Sequence, residues 1–327
     1  MAPPFISFVI PTLNAERLLP GCLQSIRLQD YNPEGYEILV ADGGSTDRTR
    51  AIAEQYGCSL VEATGLLAEA SKNKCFDVAR GEYMVMLDAD NAISSPDWLR
   101  RAMKALEKYP DALGFESYYL KAPHDNHLNR FLTGCLLVCD PFASAMATPP
   151  TLQSRDIAGV ELWELPSNGG YPTGANGFIF KKTLLRQLGD TPYHEAAFFP
   201  ALVHQGMRQL VRIRGLGVYH YYINGWRDYI RKRRRTVILY KMRQQELTET
   251  WDRHMGWKRK LTFIWTLSLI GPLLQSLLMA IWKHDWEWLL FAPAATVSAF
   301  ANAAGLWEYS RASSHSNRHA SAMKLSK

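Results

Sequence analysis

Residues 82–91 read Glu-Tyr-Met-Val-Met-Leu-Asp-Ala-Asp-Asn: a short apolar run that breaks off into two carboxylates one residue apart. Arg80-Gly81 precedes it. A run this short predicts a buried strand, with Asp88 and Asp90 at its C-terminal end, where open α/β sheets bind ligands. Two carboxylates held so close repel unless a cation lies between them. Hard oxygen donors suit Mg2+ or Mn2+, ions that keep several waters and bind substrate phosphates. The same pair also fits an ordinary strand-to-turn junction, where Asp is common. The rest of the chain bears on which.

Residues 5–10 form the first predicted strand, which Pro11-Thr12-Leu13-Asn14 ends. Residues 15–29 carry helical spacing in Leu18, Leu19, Cys22, Leu23 and Ile26. Residues 36–41 form a second strand that runs into Asp42-Gly43-Gly44-Ser45-Thr46-Asp47. Its glycines permit a tight turn, and Ser45 or Thr46 can cap the helix that follows to about Tyr56. A strand over 58–62, a helix over 67–79, the strand over 83–87 and a helix over 97–109 behind Ser94-Ser95-Pro96 complete the series. This βαβαβαβ alternation predicts an α/β fold with a doubly wound, mostly parallel sheet. In such a sheet the strand ends share one edge, which gathers the polar clusters at 11–14, 42–45 and 88–90 into a nucleotide-type site. Neither Gly-x-Gly-x-x-Gly nor Gly-x-x-x-x-Gly-Lys-Ser/Thr occurs there, which argues against a dinucleotide fingerprint and a P-loop.

Beyond residue 112 the pattern is weaker. A strand at 118–121, a helix over 128–138 and a loop over 141–152 are expected. A glycine-rich approach at 169–177 then leads into a strand at 178–180. His194-Glu195 opens a helix closed by Gly206, and short strands follow at 210–213 and 218–221. The five cysteines, Cys22, Cys58, Cys75, Cys135 and Cys139, are odd in number and scattered, so they suggest no disulfide framework and fit a reducing compartment. No signal peptide is expected at the start, because residues 5–10 are too short and lack a basic flank.

The net charge of +6 matters through its placement. Residues 226–260 concentrate basic side chains, among them Arg231, Lys232, Arg233, Arg234 and Arg235. Two uncharged runs follow, 261–282 and 288–307, each about the 20 residues needed to cross a bilayer. Trp265, Trp282, Trp286, Trp288 and Trp307 fall mainly near their ends, as interfacial anchors do. The reading is a two-helix membrane hairpin with both outer flanks in the cytosol. A pair of apolar helices packed on the globular part, or lying in the interface, is the competing reading. The basic segment is expected to meet anionic membrane lipid and not nucleic acid. The expected organisation is a globular α/β domain over 1–225, a basic juxtamembrane helical segment over 226–260, the hairpin over 261–307 and a disordered basic tail over 308–327.

With these clusters in place, residues 5–222 resemble the family 2 glycosyltransferases of the GT-A fold. The resemblance rests on Ile10-Pro11-Thr12-Leu13-Asn14, Ala41-Asp42-Gly43-Gly44-Ser45-Thr46-Asp47, Asn73, Ala79-Arg80-Gly81-Glu82-Tyr83 and Leu87-Asp88-Ala89-Asp90, in that order. It implies an inverting transfer from a UDP- or GDP-sugar to a lipid-linked or surface-glycan acceptor at the cytosolic face of the cell membrane. It further implies that Asp42 reads the base, that Pro11, Thr12 and Asn14 line the base and ribose pocket, and that Asn73 lies near the nucleotide. Asp88 and Asp90 match the Asp-x-Asp that holds Mg2+ or Mn2+ on the donor diphosphate. His220 takes the place of a late histidine near metal or phosphate, or is a core histidine. Glu195 stands where the family carries its catalytic Asp, with Asp190 as the fallback and a helix-end role as the alternative. Residues 173–177, with Gly174 and Asn176, resemble an acceptor-side loop. Arg231 and Arg234 are phosphate-side candidates, or lipid-facing. Gln-x-x-Arg-Trp, which accompanies processive synthases in the family, is missing, so a single transfer is expected. Two rivals are a nucleotidyltransferase, for which residues 11–14 lack the glycine-rich basic loop, and a membrane-anchored nucleotide-sugar-binding or scaffolding protein without catalysis.

Overall fold

The computed structural model describes residues 3–135, 141, 153–167, 177–187, 189, 193–243, 261, 264–266 and 268–314. The chain divides into two compact units. The first comprises Met1–Leu120 and Pro150–His220, the second Lys121–Pro149 and Tyr221–Lys327. Residues 121–149 thus group with the C-terminal part, although the sequence pattern placed them in a domain running to 225.

In the first unit, strands β1 (Ile6–Thr12), β2 (Tyr36–Asp42), β3 (Ser59–Glu62) and β4 (Tyr83–Met86) alternate with helices α1 (Leu19–Arg27), α2 (Thr49–Gln55) and α3 (Ala68–Val78). The four strands pair in parallel in the order β3-β2-β1-β4. All seven residues of β1 are buried, which requires cover on both faces. Side-chain alternation supplies it. Phe8, Ile10, Val40 and Val85 point into a core with Cys22 and Leu23 of α1 and with Trp98 and Leu99 of α4 (Trp98–Lys108). Val9, Leu39, Met84 and Met86 point the opposite way, against Cys75 and Phe76 of α3 and against Phe198 and Phe199 of a later helix.

The remaining strands of the chain are β5 (Asn91–Ile93), β6 (Gly114–Phe115), β7 (Tyr118–Leu120), β8 (Gln153–Ile157), β9 (Val160–Glu164), β10 (Phe178–Lys181), β11 (Gln209–Ile213) and β12 (Gly217–His220). The rest of the sheet mixes directions, with β11 parallel to β6 and its other pairings antiparallel. β10 runs antiparallel to β4 and β6, and an antiparallel β9–β8 hairpin forms the edge of a nine-stranded sheet. A separate three-stranded sheet has the order β5-β12-β7. The large sheet with helices on both faces is as expected: it is parallel through β3-β2-β1-β4 and mixed beyond them. The β8–β9 hairpin gives little sequence signal, because β8 is exposed throughout and its turn is Ala158-Gly159, with both φ positive. Asn-Gly would be the readable form of that turn.

Local chemistry also moves two expected helix starts. At α2 the carboxylate of Asp47 accepts the Thr49 N–H at 2.9 Å, while Ser45 and Thr46 are engaged elsewhere. At α4, Ser95 Oγ donates to Asp97 at 2.8 Å and caps no backbone amide.

The second unit contains α5 (His127–Thr133), which ends at Gly134 several residues before the expected end of that helix. After α5 the chain passes through the first unit, where α6 (Glu195–His204) lies. The second unit then continues with α7 (Trp226–Arg243), α8 (Ile270–Trp282) and α9 (Phe291–Ser314). Its core joins Phe131, Tyr229, Trp288 and Phe291. The uncharged run at 261–282 is not one helix, since Leu269 takes φ 58° and α8 begins after it. At 13 residues α8 is roughly 20 Å long. Among the described residues one helical stretch, Trp286–Ala312, is long and apolar enough to cross a membrane. The expected hairpin needs two.

Candidate functional site

The ends of β1 and β2 are clipped together by short polar side chains. Gly43 N–H donates to the Thr12 carbonyl at 2.8 Å, and Thr12 Oγ1 donates to the Ala41 carbonyl at 3.3 Å. Asn14, at φ 51°, donates its N–H to Ser45 Oγ at 2.9 Å and accepts the Thr46 N–H on Oδ1 at 2.9 Å. Asn tolerates this left-handed conformation better than most residues. Pro11 and Thr12 are buried, and Asn14 is exposed at the rim. Asp42 ends β2 with no exposed surface. Its carboxylate accepts the Ser45 N–H at 3.2 Å on each oxygen and pairs with Arg50 at 3.0 Å, while Glu62 holds the same guanidinium at 3.1 Å.

One strand over, β4 ends and the chain turns. Asn91 N–H donates to the Asp88 carbonyl at 3.0 Å, so Asp88 and Asp90 flank a tight turn. The Asp88 side chain is 39% exposed and the Asp90 side chain 22%. Lys72 of α3, almost fully buried, brings its ammonium 3.5 Å from Asp88. Asp90 accepts from Asn91 Nδ2 at 2.8 Å and has His220 Nε2 at 3.6 Å. The register of β5 with β12 sets His220 opposite Asn91, and the imidazole lies against the Tyr119 ring. The Cys22 thiol lies 3.7 Å from the Asp88 carbonyl oxygen. Its burial, and then the negative charges of Asp90 and Asp88, push its pKa well up.

α3 also reaches the start of α6. Asn73 accepts the Tyr193 N–H at 2.9 Å and donates to the Tyr193 and Glu69 carbonyls at 3.0 Å. Glu69 meets His194 Nε2 at 2.8 Å. Asn73, assigned to the nucleotide by resemblance, therefore spends its amide on the segment that leads into Glu195, the first residue of α6.

The structure thus brings Pro11, Thr12, Asn14, Asp42, Asp88, Asp90 and His220 to the ends of paired strands of one unit. Arg231 and Arg234 belong to the second unit, where Arg231 bonds Asp228 at 2.6 Å and Arg234 pairs with Glu308. Gly174, Asn176 and Asp190 lie outside the described residues. The adjoining Gly177 is fixed: its N–H donates to the Met86 carbonyl, and its carbonyl accepts from Ser117 Oγ.

Lys72, Glu69 and Arg50 are additional contributors that the motifs did not reveal. Lys72 had a readable signal, because it sits three and four residues before Cys75 and Phe76, on the apolar stripe of α3. A lysine on such a stripe needs a partner. Among the described residues no group of three His, Cys, Asp or Glu side chains is gathered to cage a metal ion. Two partly exposed carboxylates still suit Mg2+ or Mn2+ of the kind completed by water and phosphate oxygens.

Residues 7–150 match the model of the family described as Glycosyl transferase family 2. The PGL/p-HBAD biosynthesis glycosyltransferase Rv2957 of Mycobacterium tuberculosis is 36% identical over 107 residues, which is 31% of this chain and 41% of that protein. The glycosyltransferase AglE of Haloferax volcanii is 32% identical over 111 residues, 32% of this chain and 36% of that one. The matches thus span about two fifths of these relatives. A mannosyltransferase from Pyrobaculum calidifontis, solved in complex with GDP-Man and Mn2+, superposes with a TM-score of 0.54 at 17% identity over 93% of this chain and 88% of that one. Residues 1–349 of TarS from S. aureus, in complex with UDP-GlcNAc, give 0.51 at 16% identity over 94% and 92%. At these identities the likeness is one of fold.

Proposed function

We infer that this chain, whose residues 7–150 are a family 2 glycosyl transferase domain, moves a sugar from a UDP- or GDP-sugar to an acceptor hydroxyl presented at a membrane. The observation that carries the reading is the convergence of three strand ends in one sheet, with a buried Asp42 at the end of β2 and a partly exposed Asp88–Asp90 turn after β4 on the other side of β1. The neighbouring structures hold UDP-GlcNAc or GDP-Man, which agrees with a nucleotide-diphosphate donor.

In this reading Pro11, Thr12, Asn14 and Asp42 receive the base and ribose. Arg50 and Ser45 hold the Asp42 carboxylate in one orientation, so recognition costs little reordering. Asn73 acts at one remove, by fixing the backbone before α6. Asp88 and Asp90 would hold Mg2+ or Mn2+, which neutralises the charge growing on a departing diphosphate. Lys72 lies beside the Asp88 carboxylate and His220 beside that of Asp90. Glu195, opening α6, is the proposed base that takes the acceptor proton, giving inversion at the anomeric carbon. Gly174 and Asn176 remain assigned to the acceptor side. Arg231 and Arg234 serve the second unit, through Asp228 and Glu308.

The test is donor binding to the detergent-solubilised chain with and without Mn2+ or Mg2+, in wild type, Asp88→Asn and Asp90→Asn. Metal-dependent binding of one donor, lost in both variants, is expected. Binding that ignores both the metal and the variants would refute the cation site. Glu195→Gln should bind donor like wild type and lose turnover. If wild type binds donor but does not turn it over with any acceptor tried, the scaffolding reading takes precedence.

A further inference from the structure

α8 turns one face inward and the other to solvent. Pro272, Ser276 and Ala280, spaced four apart, are buried, and Ser276 Oγ accepts the Ala292 N–H at 2.9 Å. These small side chains let α8 sit close to the start of α9. On the outer side Ile270, Leu273, Leu274, Leu277, Leu278, Ile281 and Trp282 are all more than half exposed. No charged residue interrupts that face. Trp286, just beyond α8, is 73% exposed. An uncharged leucine-rich face of this extent, in a chain with a large core elsewhere, marks an interaction surface.

We propose that the second unit lies in one leaflet of a lipid bilayer through this outer face of α8, without crossing the membrane. The occupant is lipid for three reasons. The face is branched aliphatic with tryptophans at its C-terminal end, which suits the boundary between acyl chains and headgroups. Arg227, Arg231 and Arg235 of α7 in the same unit are exposed, and they supply attraction to anionic headgroups. The alternative, a transmembrane α9, conflicts with what α9 touches. α7 packs along it: Tyr229 bonds the Ala294 carbonyl, Arg234 pairs with Glu308, and a Cβ on Gly305 would lie 2.7 Å from the Arg234 carbonyl oxygen. A spanning α9 would carry the cationic α7 towards the bilayer centre, where arginine is costly. α8, roughly 20 Å long, cannot cross a hydrocarbon core of about 30 Å either. Lying flat satisfies both helices. The inference refines the membrane-presented acceptor in the function proposed above, but its test needs no donor and no turnover, so the two fail separately.

The experiment is flotation of the full-length chain with phosphatidylcholine vesicles, with and without phosphatidylglycerol, for wild type and for Leu274→Glu with Leu278→Glu. Both positions are exposed, so folding is expected to survive, and circular dichroism checks it. Wild type should float with both vesicle types, more strongly with the anionic ones. The double variant should lose at least about tenfold in partitioning, since each leucine forfeits its transfer to an apolar phase. Alkaline carbonate should release vesicle-bound wild type. Equal flotation of the folded variant would overturn the assignment of this face to lipid. Carbonate resistance would overturn the one-leaflet placement. Wild type that does not float but dissociates from dimer to monomer on substitution would assign the face to a second copy of the chain. Should the double variant misfold, Ile270→Glu alone reads the same face at the end of the helix.

Discussion

Gly217→Ala and Gly21→Ala make the same chemical change with opposite expected outcomes. Gly217 opens β12 opposite Tyr118 in the parallel ladder with β7. A Cβ at Gly217 would lie 1.8 Å from the Tyr118 carbonyl oxygen and 2.6 Å from its carbon. Both are backbone atoms, so no rotamer change relieves the clash and a strand has to move. β7 is poorly placed to retreat, because the Tyr118 hydroxyl bonds Glu161 and its ring carries the Arg212 guanidinium at 3.8 Å. If β12 moves instead, it loses the bond from Ser94 N–H to the Gly217 carbonyl and shifts His220 away from Asp90. Overpacking costs about 1–3 kcal/mol, and a lost hydrogen bond adds roughly 1 kcal/mol, so a destabilisation of about 3 kcal/mol is expected. Gly21, exposed on α1, has nothing within 4 Å of its would-be Cβ. There alanine should stabilise by about 0.5–1 kcal/mol, because helical glycine is entropically costly. Urea denaturation of the full chain, followed by tryptophan fluorescence, measures both. Trp98 reports on the first unit, packed edge-on against Phe115. If Gly217→Ala proved as stable as wild type, or if the two variants moved the same way, the close approach of β7 and β12 would be refuted.

Ser7→Ala should destabilise by about 1–3 kcal/mol at neutral pH, since Ser7 Oγ is the buried acceptor for the Gly81 N–H and donates to Glu37. Burial pushes the Glu37 carboxyl up, but bonds from Arg80 and Ser7 outweigh it and hold its pKa below the usual value. The stability from this lowered pKa is present above the unfolded-state pKa and is lost as pH falls through the folded one. The gap between wild type and Ser7→Ala should therefore narrow in acid without closing, because the orphaned Gly81 N–H does not titrate. Urea midpoints at about pH 7 and about pH 3 would show this, and a gap that widens in acid would contradict it. Burial raises the Cys58 thiol to about 11 and the Cys75 thiol to about 12, and pushes Cys22 up as well. These three thiols should resist iodoacetamide in the native protein at about pH 8 and react once it is unfolded, as read by peptide mass spectrometry. Prompt native labelling of Cys22 would mean that the Asp88–Asp90 turn does not bury it.

The parallel core was legible because its signals are local. Strands buried on both faces are mainly apolar runs, unbroken in β4 and interrupted in β1 only by Ser7 and the final Thr12, and the helices between them repeat every three to four residues. The carboxylates at strand ends followed from the same pattern, since a parallel sheet must bring those ends to one edge. The chain order by itself also placed Asp42 at the end of its strand and Asp88 and Asp90 just beyond theirs. It could not reveal partners supplied from a distance. Lys72 meets Asp88 because α3 packs across β1 and β2, next to β4, and His220 meets Asp90 because β12 pairs with β5. Asn73 turned out to hold the Tyr193 backbone, a bond across 120 residues. The placement of β10 between β4 and β6 depends on such long-range pairing, whereas the β8–β9 hairpin is local but its β8 strand is too exposed to carry a period. The C-terminal helices show the same division. Composition determines that residues 261–282 and 288–307 are uncharged and largely apolar, but hydropathy is a property of single residues. Which face of α8 is covered, and that a cationic α7 lies along α9, are settled by packing. Sequence periodicity fixes what a segment prefers to become, whereas the partner of a charge depends on where the remaining chain returns in space.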